Sequence, residues 1–373
     1  MIEARTEANE QFFAAEAERI AELSARLAER FHAGGRLLAV GATPQDSSDA
    51  HHVAVEFVHP VIVGKRALPA LALSGDELAL LAEPGDAIIA FGTDAAGPQG
   101  CLTIGFAPGA AEWVFEPPSD DPFVRQELVE TLYHVLWETV HVFLEQRGSN
   151  SRGAGGSGFL YPFLEQSDEG SDAVRDDVAR SVLIKAREIG ALRERTIGDG
   201  EAVESAAAAL RARLDTGGKL LAFGNGGSAT DAMDLVADLQ ATARRALDLT
   251  ADSAILTALA NDVGPEVLFL RQLIAHGREG DVALAFSTSG GSANIIAALA
   301  EARRRGLGTI ALVGYDGGSI AAGRLADHVI LAPSQYIPRI QEAHATAYHL
   351  LVDRVAGADG PRRAERRHVL VDS

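Results

Sequence analysis

The sequence contains one strand–turn–helix pattern twice, and this internal repeat constrains the fold more than any other feature. Residues 34–56 read GGRLLAVGATPQDSSDAHHVAVE, and residues 217–238 read GGKLLAFGNGGSATDAMDLVAD, with one residue fewer in the loop. A repeated unit of this kind predicts that one type of domain occurs twice. The chain has 373 residues, which is enough for two domains that each bury a core.

Apolar runs of strand length alternate with helical patterns along both copies. In the second copy the predicted strands are 219–223, 255–259, 281–287, 308–313 and 328–331, with helices between them. This alternation is typical of α/β domains with a doubly wound parallel sheet. The first copy is predicted to be shortened, because it passes almost directly from Leu73 to Asp86 and from Phe91 to Cys101.

A Gly- and Ser-rich stretch between the copies predicts a flexible linker. It begins GSNSRGAGGSG at Gly148. We therefore expect a first domain at 1–147, a linker at 148–160 and a second domain at 161–373.

The charge and the cysteine content limit the partners and the compartment. With 33 basic and 52 acidic residues the net charge is −19, which disfavours nucleic acid as a partner. The single cysteine, Cys101, excludes an intramolecular disulfide and fits a reducing compartment. Because the apolar runs are short and no signal peptide is visible, we expect a cytoplasmic protein without a membrane partner.

Two glycine- and hydroxyl-rich loops in the second copy follow predicted strands and precede predicted helices. Backbone N–H groups in such loops, together with a helix N-terminus, favour the binding of an oxyanion. The loops lack both lysine and the G-x-G-x-x-G pattern, so they favour a monophosphate over a nucleotide. The residues predicted to bind the phosphate are Asn225, Gly226, Gly227, Ser228, Ser287, Thr288, Ser289 and Ser292.

These loops belong to a set of motifs that resembles the sugar isomerase (SIS) domain family, and within it the phosphoheptose isomerase branch. The motifs are FGNGGS at 223–228, STSG at 287–290 with SAN at 292–294, GYDGG at 314–318 and RIQEAH at 339–344. The resemblance covers about residues 165–356. It implies a doubly wound α/β fold, a phosphorylated sugar substrate held by the two loops and by Gln341, aldose–ketose isomerisation through an enediol, and commonly a homotetramer.

The same family places a metal and acid/base cluster on two helices, as a His-x3-Glu pair and a Gln followed eight residues later by a His. In the first copy the matching residues are His52, Glu56, Gln126 and His134. By resemblance, Glu56 is the catalytic base, His134 is its acid/base partner, and all four residues form the set for a divalent metal. Imidazole and carboxylate ligands favour zinc.

The second copy matches this set only in part, with Asp234, Asp238, Gln341 and His349. Aspartate is one methylene shorter than glutamate, which withdraws a base by roughly an ångström. We therefore expect a composite site that uses the metal set of copy one and the phosphate loops of copy two, in a homodimer that imitates a four-domain tetramer. Two alternatives stay open: a second metal site that lets copy two act alone, and a non-catalytic sugar-phosphate sensor or protein-binding adaptor.

Overall fold

The computed structural model describes residues 2–61, 65–148 and 171–357. By its internal contacts the chain divides into two compact units, Met1–Gly190 and Ala191–Ser373, called unit 1 and unit 2 below. The predicted linker lies outside the described residues, apart from Gly148, which ends a helix. The domain boundaries expected from the sequence therefore stay a prediction.

Unit 1 contains a five-stranded parallel sheet and its covering helices. The elements are α1 (Ile2–His32), β1 (Leu37–Gly41), α2 (Pro44–Val58), β2 (Ala70–Leu73), α3 (Gly75–Leu81), β3 (Ala87–Phe91), β4 (Leu102–Gly105), β5 (Trp113–Val114) and α4 (Pro122–Gly148). The strands lie in the order β2-β1-β3-β4-β5. A further helix, α5 (Ser171–Ile197), spans the division between the units.

Unit 2 contains a second five-stranded parallel sheet. Its elements are α6 (Glu201–Asp215), β6 (Leu220–Phe223), α7 (Gly227–Ala241), β7 (Ala246–Asp248), α8 (Ser253–Asp262), a 3-10 turn (Pro265–Val267), α9 (Leu268–His276), β8 (Val282–Ser287), α10 (Ala293–Arg304), β9 (Gly308–Gly314), α11 (Gly318–Ala322), β10 (His328–Ala332) and α12 (Ile337–Ala356). The strands lie in the order β7-β6-β8-β9-β10.

The two sheets have the same topology. Numbered within its own unit, each has the strand order 2-1-3-4-5, which is a doubly wound arrangement of the flavodoxin type. The prediction of two such domains in tandem is confirmed. Unit 1 is also shorter in its connections, because no helix of its described residues separates β3 from β4 or β4 from β5, whereas α10 and α11 fill the corresponding places in unit 2.

The repeat extends to one ion pair with a buried carboxylate at the start of each sheet. In unit 1, Asp86 accepts hydrogen bonds from the backbone N–H of Arg36 at 2.9 Å and from its Nη2 at 2.6 Å. In unit 2, Asp281 accepts from the backbone N–H of Lys219 at 3.0 Å and from its Nζ at 2.5 Å. Each carboxylate thus joins the first strand of its sheet to the segment that leads into the third.

Alternation along β1 shows why a strand with an uninterrupted apolar run is buried on both faces. Leu37 and Ala39 contribute to the larger core of unit 1, while Leu38 and Val40 contribute to a smaller core on the opposite face. Successive side chains of a strand point to opposite faces, so both faces must be covered. All four side chains are buried.

Helix α4 lies in the larger core of unit 1, and it is buried although it carries acidic side chains. Glu127, Glu130 and Glu138 are each at most 2% exposed. Arg5 of α1 pairs with Glu127 at 3.0 Å, and Lys185 of α5 pairs with Glu138 at 2.5 Å.

In the part of the chain that the structure describes, no helix has both the length and the apolar character needed to cross a bilayer.

The structure corrects the sequence prediction at two connections. Residues 255–259 lie in helix α8, and the second strand of unit 2 is β7, nearer to α7. A short apolar run fits either element, and here the side chain of Asp252 caps the helix by accepting from the N–H of Ile255 at 2.9 Å. In unit 1, α3 occupies part of the connection that was expected to lack a helix.

Candidate functional site

In each unit the strand order reverses between the first and the third strand of the sheet. In unit 1 this point lies between β1 and β3, and in unit 2 it lies between β6 and β8. Both pairs are parallel, so the loops that follow the two strands lie at the same edge of the sheet. Doubly wound proteins bind ligands at this edge.

In unit 2 the two loops at this edge are joined to each other. The side-chain amides of Asn225 and Asn294 exchange two hydrogen bonds, at 3.0 and 2.8 Å. At the starts of the helices that follow, α7 and α10, the N-cap residues Gly226 and Ser292 make no side-chain capping bond. The N-termini of these two helices, each with a positive dipole end, lie at this edge of the sheet and form a site suited to an oxyanion.

The hydroxyl groups of the second loop differ in their surroundings. Ser287, at the end of β8, is buried, and its Oγ has no hydrogen-bond partner among the described residues. Ser289 is exposed, and its Oγ accepts from the N–H of Gly291 at 3.2 Å. Burying a hydroxyl without a hydrogen-bond partner costs free energy, unless a bound ligand supplies the partner. Thr288 and Ser292 are half-buried in the same loop.

In unit 1 the same place is closed by a side chain. Asp46 stands where the second copy has Ser228 when the helices are aligned. Its Oδ2 accepts from the backbone N–H and the hydroxyl of Thr43, at 3.1 and 2.6 Å, and a Cβ on Gly92 would lie 2.2 Å from it. An internal carboxylate therefore caps α2 and lies between the ends of β1 and β3, where it repels a phosphate.

Behind this cap, unit 1 brings together three of the predicted metal and acid/base residues. His52 Nε2 lies 3.3 Å from His134 Nε2 and 3.9 Å from Glu56 Oε1. All three side chains are at most 3% exposed. One ligand atom from each lies within 4.8 Å of the others, which is a spacing suited to a metal ion. The i and i+4 spacing of His52 and Glu56 on α2 places both on one face.

Burial also sets the protonation state of one of these imidazoles. It lowers the pKa of His52 well below the usual value, and the nearby His134 lowers it further. His52 is therefore neutral at physiological pH. A neutral imidazole has a free lone pair, which is the form that binds a metal.

The fourth predicted residue, Gln126, is held by Asp49, which is not among the site residues predicted from the sequence. Gln126 Nε2 donates to Asp49 Oδ1 at 3.0 Å. Tyr133 Oη donates to the same oxygen at 3.4 Å and lies 3.0 Å from His52 Nδ1. Asp49 has a counterpart at the same place in the second copy, Asp231, and this shared identity was the signal available in the sequence.

Unit 2 assembles an acidic version of the cluster. His349 Nε2 lies 3.4 Å from Asp234 Oδ2 and 3.9 Å from Asp238 Oδ2, and all three side chains are buried. Tyr348 Oη donates to Asp234 Oδ2 at 2.9 Å. These three residues form a second group of possible metal ligands. Gln341 is buried on α12, the helix that carries His349.

Comparison with known proteins gives a consistent result. The SIS domain model matches residues 186–314. The phosphoheptose isomerase of Citrifermentans bemidjiense is 45% identical over 160 residues, which are 41% of this chain and 82% of that protein. The phosphoheptose isomerase of Roseiflexus sp. is 39% identical over 198 residues, covering 51% and 94%. The C-terminal domain of glucosamine-fructose-6-phosphate aminotransferase from Francisella tularensis, at 11% identity, matches 95% of this chain and 94% of its own with a TM-score of 0.61, which shows a likeness of fold alone.

Proposed function

The chain belongs to the phosphoheptose isomerase family of SIS-domain aldose–ketose isomerases, and we propose that it converts sedoheptulose 7-phosphate to D-glycero-D-manno-heptose 7-phosphate. The observation that carries the proposal is the buried contact among His52, Glu56 and His134 in unit 1. It supplies a carboxylate and two imidazoles in one place, which are the groups that proton transfer at neutral pH requires. The names of the relatives support the heptose as substrate.

The proposed phosphate subsite is formed by the two loops of unit 2. The positive dipole ends of α7 and α10 support this role, and so does the hydroxyl of Ser287, which has no hydrogen-bond partner among the described residues. Neutral donors suit a monophosphate, because they hold its charge without the lysine and metal that a triphosphate needs. Asp46 supports the same assignment, because its carboxylate occupies the equivalent position in unit 1 and repels a phosphate there.

The residues of unit 1 fit a divalent metal. Two imidazole Nε2 atoms and a carboxylate oxygen converge, and the Oε1 atom of Gln126 is buried without a hydrogen-bond partner among the described residues. His52, Glu56, Gln126 and His134 would hold the ion. Nitrogen and oxygen donors of this kind favour zinc. When bound, the metal would polarise the substrate carbonyl.

The proposed chemistry is a proton shift through an enediol. Glu56 takes a proton from C1 of the ketose, which is the carbon next to the C2 carbonyl. It then returns the proton to C2, the former carbonyl carbon. His134 moves protons at the two oxygens, because an imidazole is a common general acid and base. The enclosure of these groups in the core of unit 1 excludes bulk water from the cluster, which strengthens each electrostatic contact.

We propose that the two units supply complementary groups: unit 1 the metal and acid/base residues, and unit 2 the phosphate loops. The support comes from what each unit contains, because unit 1 has lost the open loop and unit 2 has aspartates in place of His52 and Glu56. The proposal includes a cytoplasmic homodimer and the domain boundaries 1–147, 148–160 and 161–373.

The experiment measures turnover of sedoheptulose 7-phosphate by the full chain and by Glu56→Gln, Ser289→Ala and Asp238→Asn. We expect Glu56→Gln to lose at least about 100-fold in kcat, because a general base contributes at least this factor. Ser289→Ala should raise KM, and Asp238→Asn should retain turnover. Full turnover in Glu56→Gln with loss in Asp238→Asn would assign catalysis to unit 2 alone. Binding of the sugar phosphate without turnover by the wild type would indicate a sensor.

Mixing the Glu56→Gln and Ser289→Ala variants tests whether one chain or two complete a site. Recovery of turnover on mixing means that unit 1 of one chain acts with unit 2 of another. The absence of recovery, with both single variants impaired, places the two sets in one chain. Gel filtration of the same samples reports whether the protein is a dimer.

A further inference from the structure

We propose that Asp49 is a positioning residue that orients two of the proposed metal ligands, Gln126 and His52, with a single carboxylate oxygen. This inference rests on the metal set of the proposed function. Asp49 lies on α2 one turn before His52, and it is 5% exposed. Its carboxylate is therefore largely shielded from bulk water.

The first ligand is oriented through its amide. Gln126 Nε2 donates to Asp49 Oδ1 at 3.0 Å. An ionised carboxylate only accepts hydrogen bonds, so it selects the NH₂ end of the glutamine and excludes the flipped amide. The carbonyl end, Oε1, then points elsewhere, and it is buried with no hydrogen-bond partner in the described part of the chain. A fixed, unpartnered carbonyl oxygen is a suitable metal donor.

The second ligand is oriented through Tyr133. Its hydroxyl carries one proton, which it donates to Asp49 Oδ1 at 3.4 Å. The oxygen of the same hydroxyl lies 3.0 Å from His52 Nδ1, and in this arrangement it accepts a hydrogen bond from the Nδ1–H group. With the tyrosine proton assigned to Asp49, the matching His52 tautomer carries its proton on Nδ1 and leaves Nε2 unprotonated. Nε2 is the atom that faces His134 and Glu56.

The packing of two helices makes this arrangement possible. On α4, Gln126 and Tyr133 are seven residues apart and therefore lie on one face. That face meets the side of α2 that presents Asp49 and His52. Metal-bound histidines commonly pass their second ring N–H to an outer acceptor, and loss of that acceptor weakens metal binding about 10- to 100-fold.

Unit 2 shows what happens when the histidine is replaced. There the tyrosine that precedes the last-helix histidine, Tyr348, donates directly to Asp234, which stands at the position of His52. An aspartate has no second ring nitrogen to orient. The hydrogen bonds from His52 through Tyr133 to Asp49 therefore serve a histidine, and they occur in the unit that has one at this position.

The test measures the affinity of the full chain for Co²⁺ and Zn²⁺ by competition with a chromophoric chelator, together with the visible absorption spectrum of bound Co²⁺. The variants are Asp49→Ala, Asp49→Asn and Tyr133→Phe. Ser48→Ala is the matched control, because Ser48 is a buried polar neighbour whose hydroxyl donates to the carbonyl of Gln45 on the same helix. His52→Ala shows which part of the bound metal belongs to unit 1.

We expect Asp49→Ala to weaken the metal site of unit 1 about 10- to 100-fold and to change the Co²⁺ spectrum. Asp49→Asn should recover part of the affinity, since an amide oxygen still accepts a hydrogen bond. Tyr133→Phe should weaken binding less than Asp49→Ala, because it disturbs one ligand only. If Asp49→Ala does not fold, Tyr133→Phe carries the test.

Affinity and spectrum unchanged in both Asp49→Ala and Tyr133→Phe would overturn the positioning role while leaving the metal set intact. If instead the wild type and His52→Ala bind the same amount of metal, the metal set of the proposed function fails together with this inference. A loss of affinity in Ser48→Ala equal to that in Asp49→Ala would also overturn it, because the effect would then come from the helix and not from the carboxylate.

Discussion

Asp46 and Thr43 bond each other reciprocally at the start of α2: the Asp46 carboxylate accepts from the N–H and hydroxyl of Thr43, and the Thr43 hydroxyl accepts from the N–H of Asp46. This capping box occupies the edge of the sheet where unit 2 keeps an open loop. Because it satisfies the helix start internally, unit 1 gains local stability at the place where an anion site would otherwise form.

We expect Thr43→Ala to lower the free energy of unfolding of unit 1 by about 1 kcal/mol, because it removes the cap of α2. Trp113 and Trp137 are the only tryptophans of the chain, and both lie in unit 1, so tryptophan fluorescence during urea unfolding reports on this unit. Ser47→Ala, on the same helix but outside the cap, should change stability by less than about 0.5 kcal/mol. Equal effects of the two substitutions would contradict the role of the cap.

Gly35 lies where the backbone of a neighbouring segment approaches closely. A Cβ at this position would be 2.4 Å from the carbonyl oxygen of Gly85. Backbone cannot move aside as a side chain can, so Gly35→Ala should cost about 2 kcal/mol or more in unit 1. Gly75→Ala is the control, since a Cβ there meets nothing within 4 Å and alanine favours the helix. It should be neutral or stabilising in the same fluorescence assay.

Ser287→Ala separates ligand binding from stability. The Ser287 hydroxyl is buried without a partner in the described residues, so its removal should not lower the melting temperature. If the hydroxyl binds the phosphate, KM for the sugar phosphate should rise about 10-fold, which corresponds to the loss of one hydrogen bond to a charged group. A drop in melting temperature with KM unchanged would instead assign Ser287 to the core.

Stability of unit 2 should depend on pH through His344. Burial lowers its pKa to about 4, whereas an unfolded histidine titrates near 6.5. Between these values the unfolded chain binds a proton that native His344 does not. Unfolding therefore becomes easier as pH falls from about 6.5 to about 4, by at most about 3 kcal/mol. Calorimetry across this range should show a flatter profile for His344→Gln, while His276→Gln, at an exposed position, should follow the wild type.

Glu56→Asp tests the argument about carboxylate length. Shortening the side chain withdraws the base by about 1 Å, and a displacement of this size can cost about 100-fold in turnover. The folded state should persist, because both side chains are carboxylates in the same environment. Circular dichroism checks the fold. Turnover equal to that of the wild type would show that the aspartates of unit 2 are not disqualified by length.

Much of the fold was predictable because it depends on local pattern. The strands at 219–223 and 281–287 were expected from apolar runs of strand length, and the structure has them as β6 and β8. The apolar stretch at 255–259 was predicted wrongly, because a short run fits a buried strand and a helix equally well. The capping bond from Asp252 stabilises the helix. Hydrophobic periodicity does not detect such a bond, because it depends on one side-chain oxygen.

Within the candidate site, residues joined by helical spacing were predictable, and residues joined across helices were not. His52 and Glu56 share a face through their separation of four residues. Asp49 and Gln126, 77 positions apart, meet only because α2 packs against α4. The sequence by itself determined two doubly wound units and the residue types that each unit keeps. Only the tertiary structure decided that Asp49 contacts Gln126 and that Asp46 lies beside Gly92, because each of these contacts joins residues far apart in the sequence.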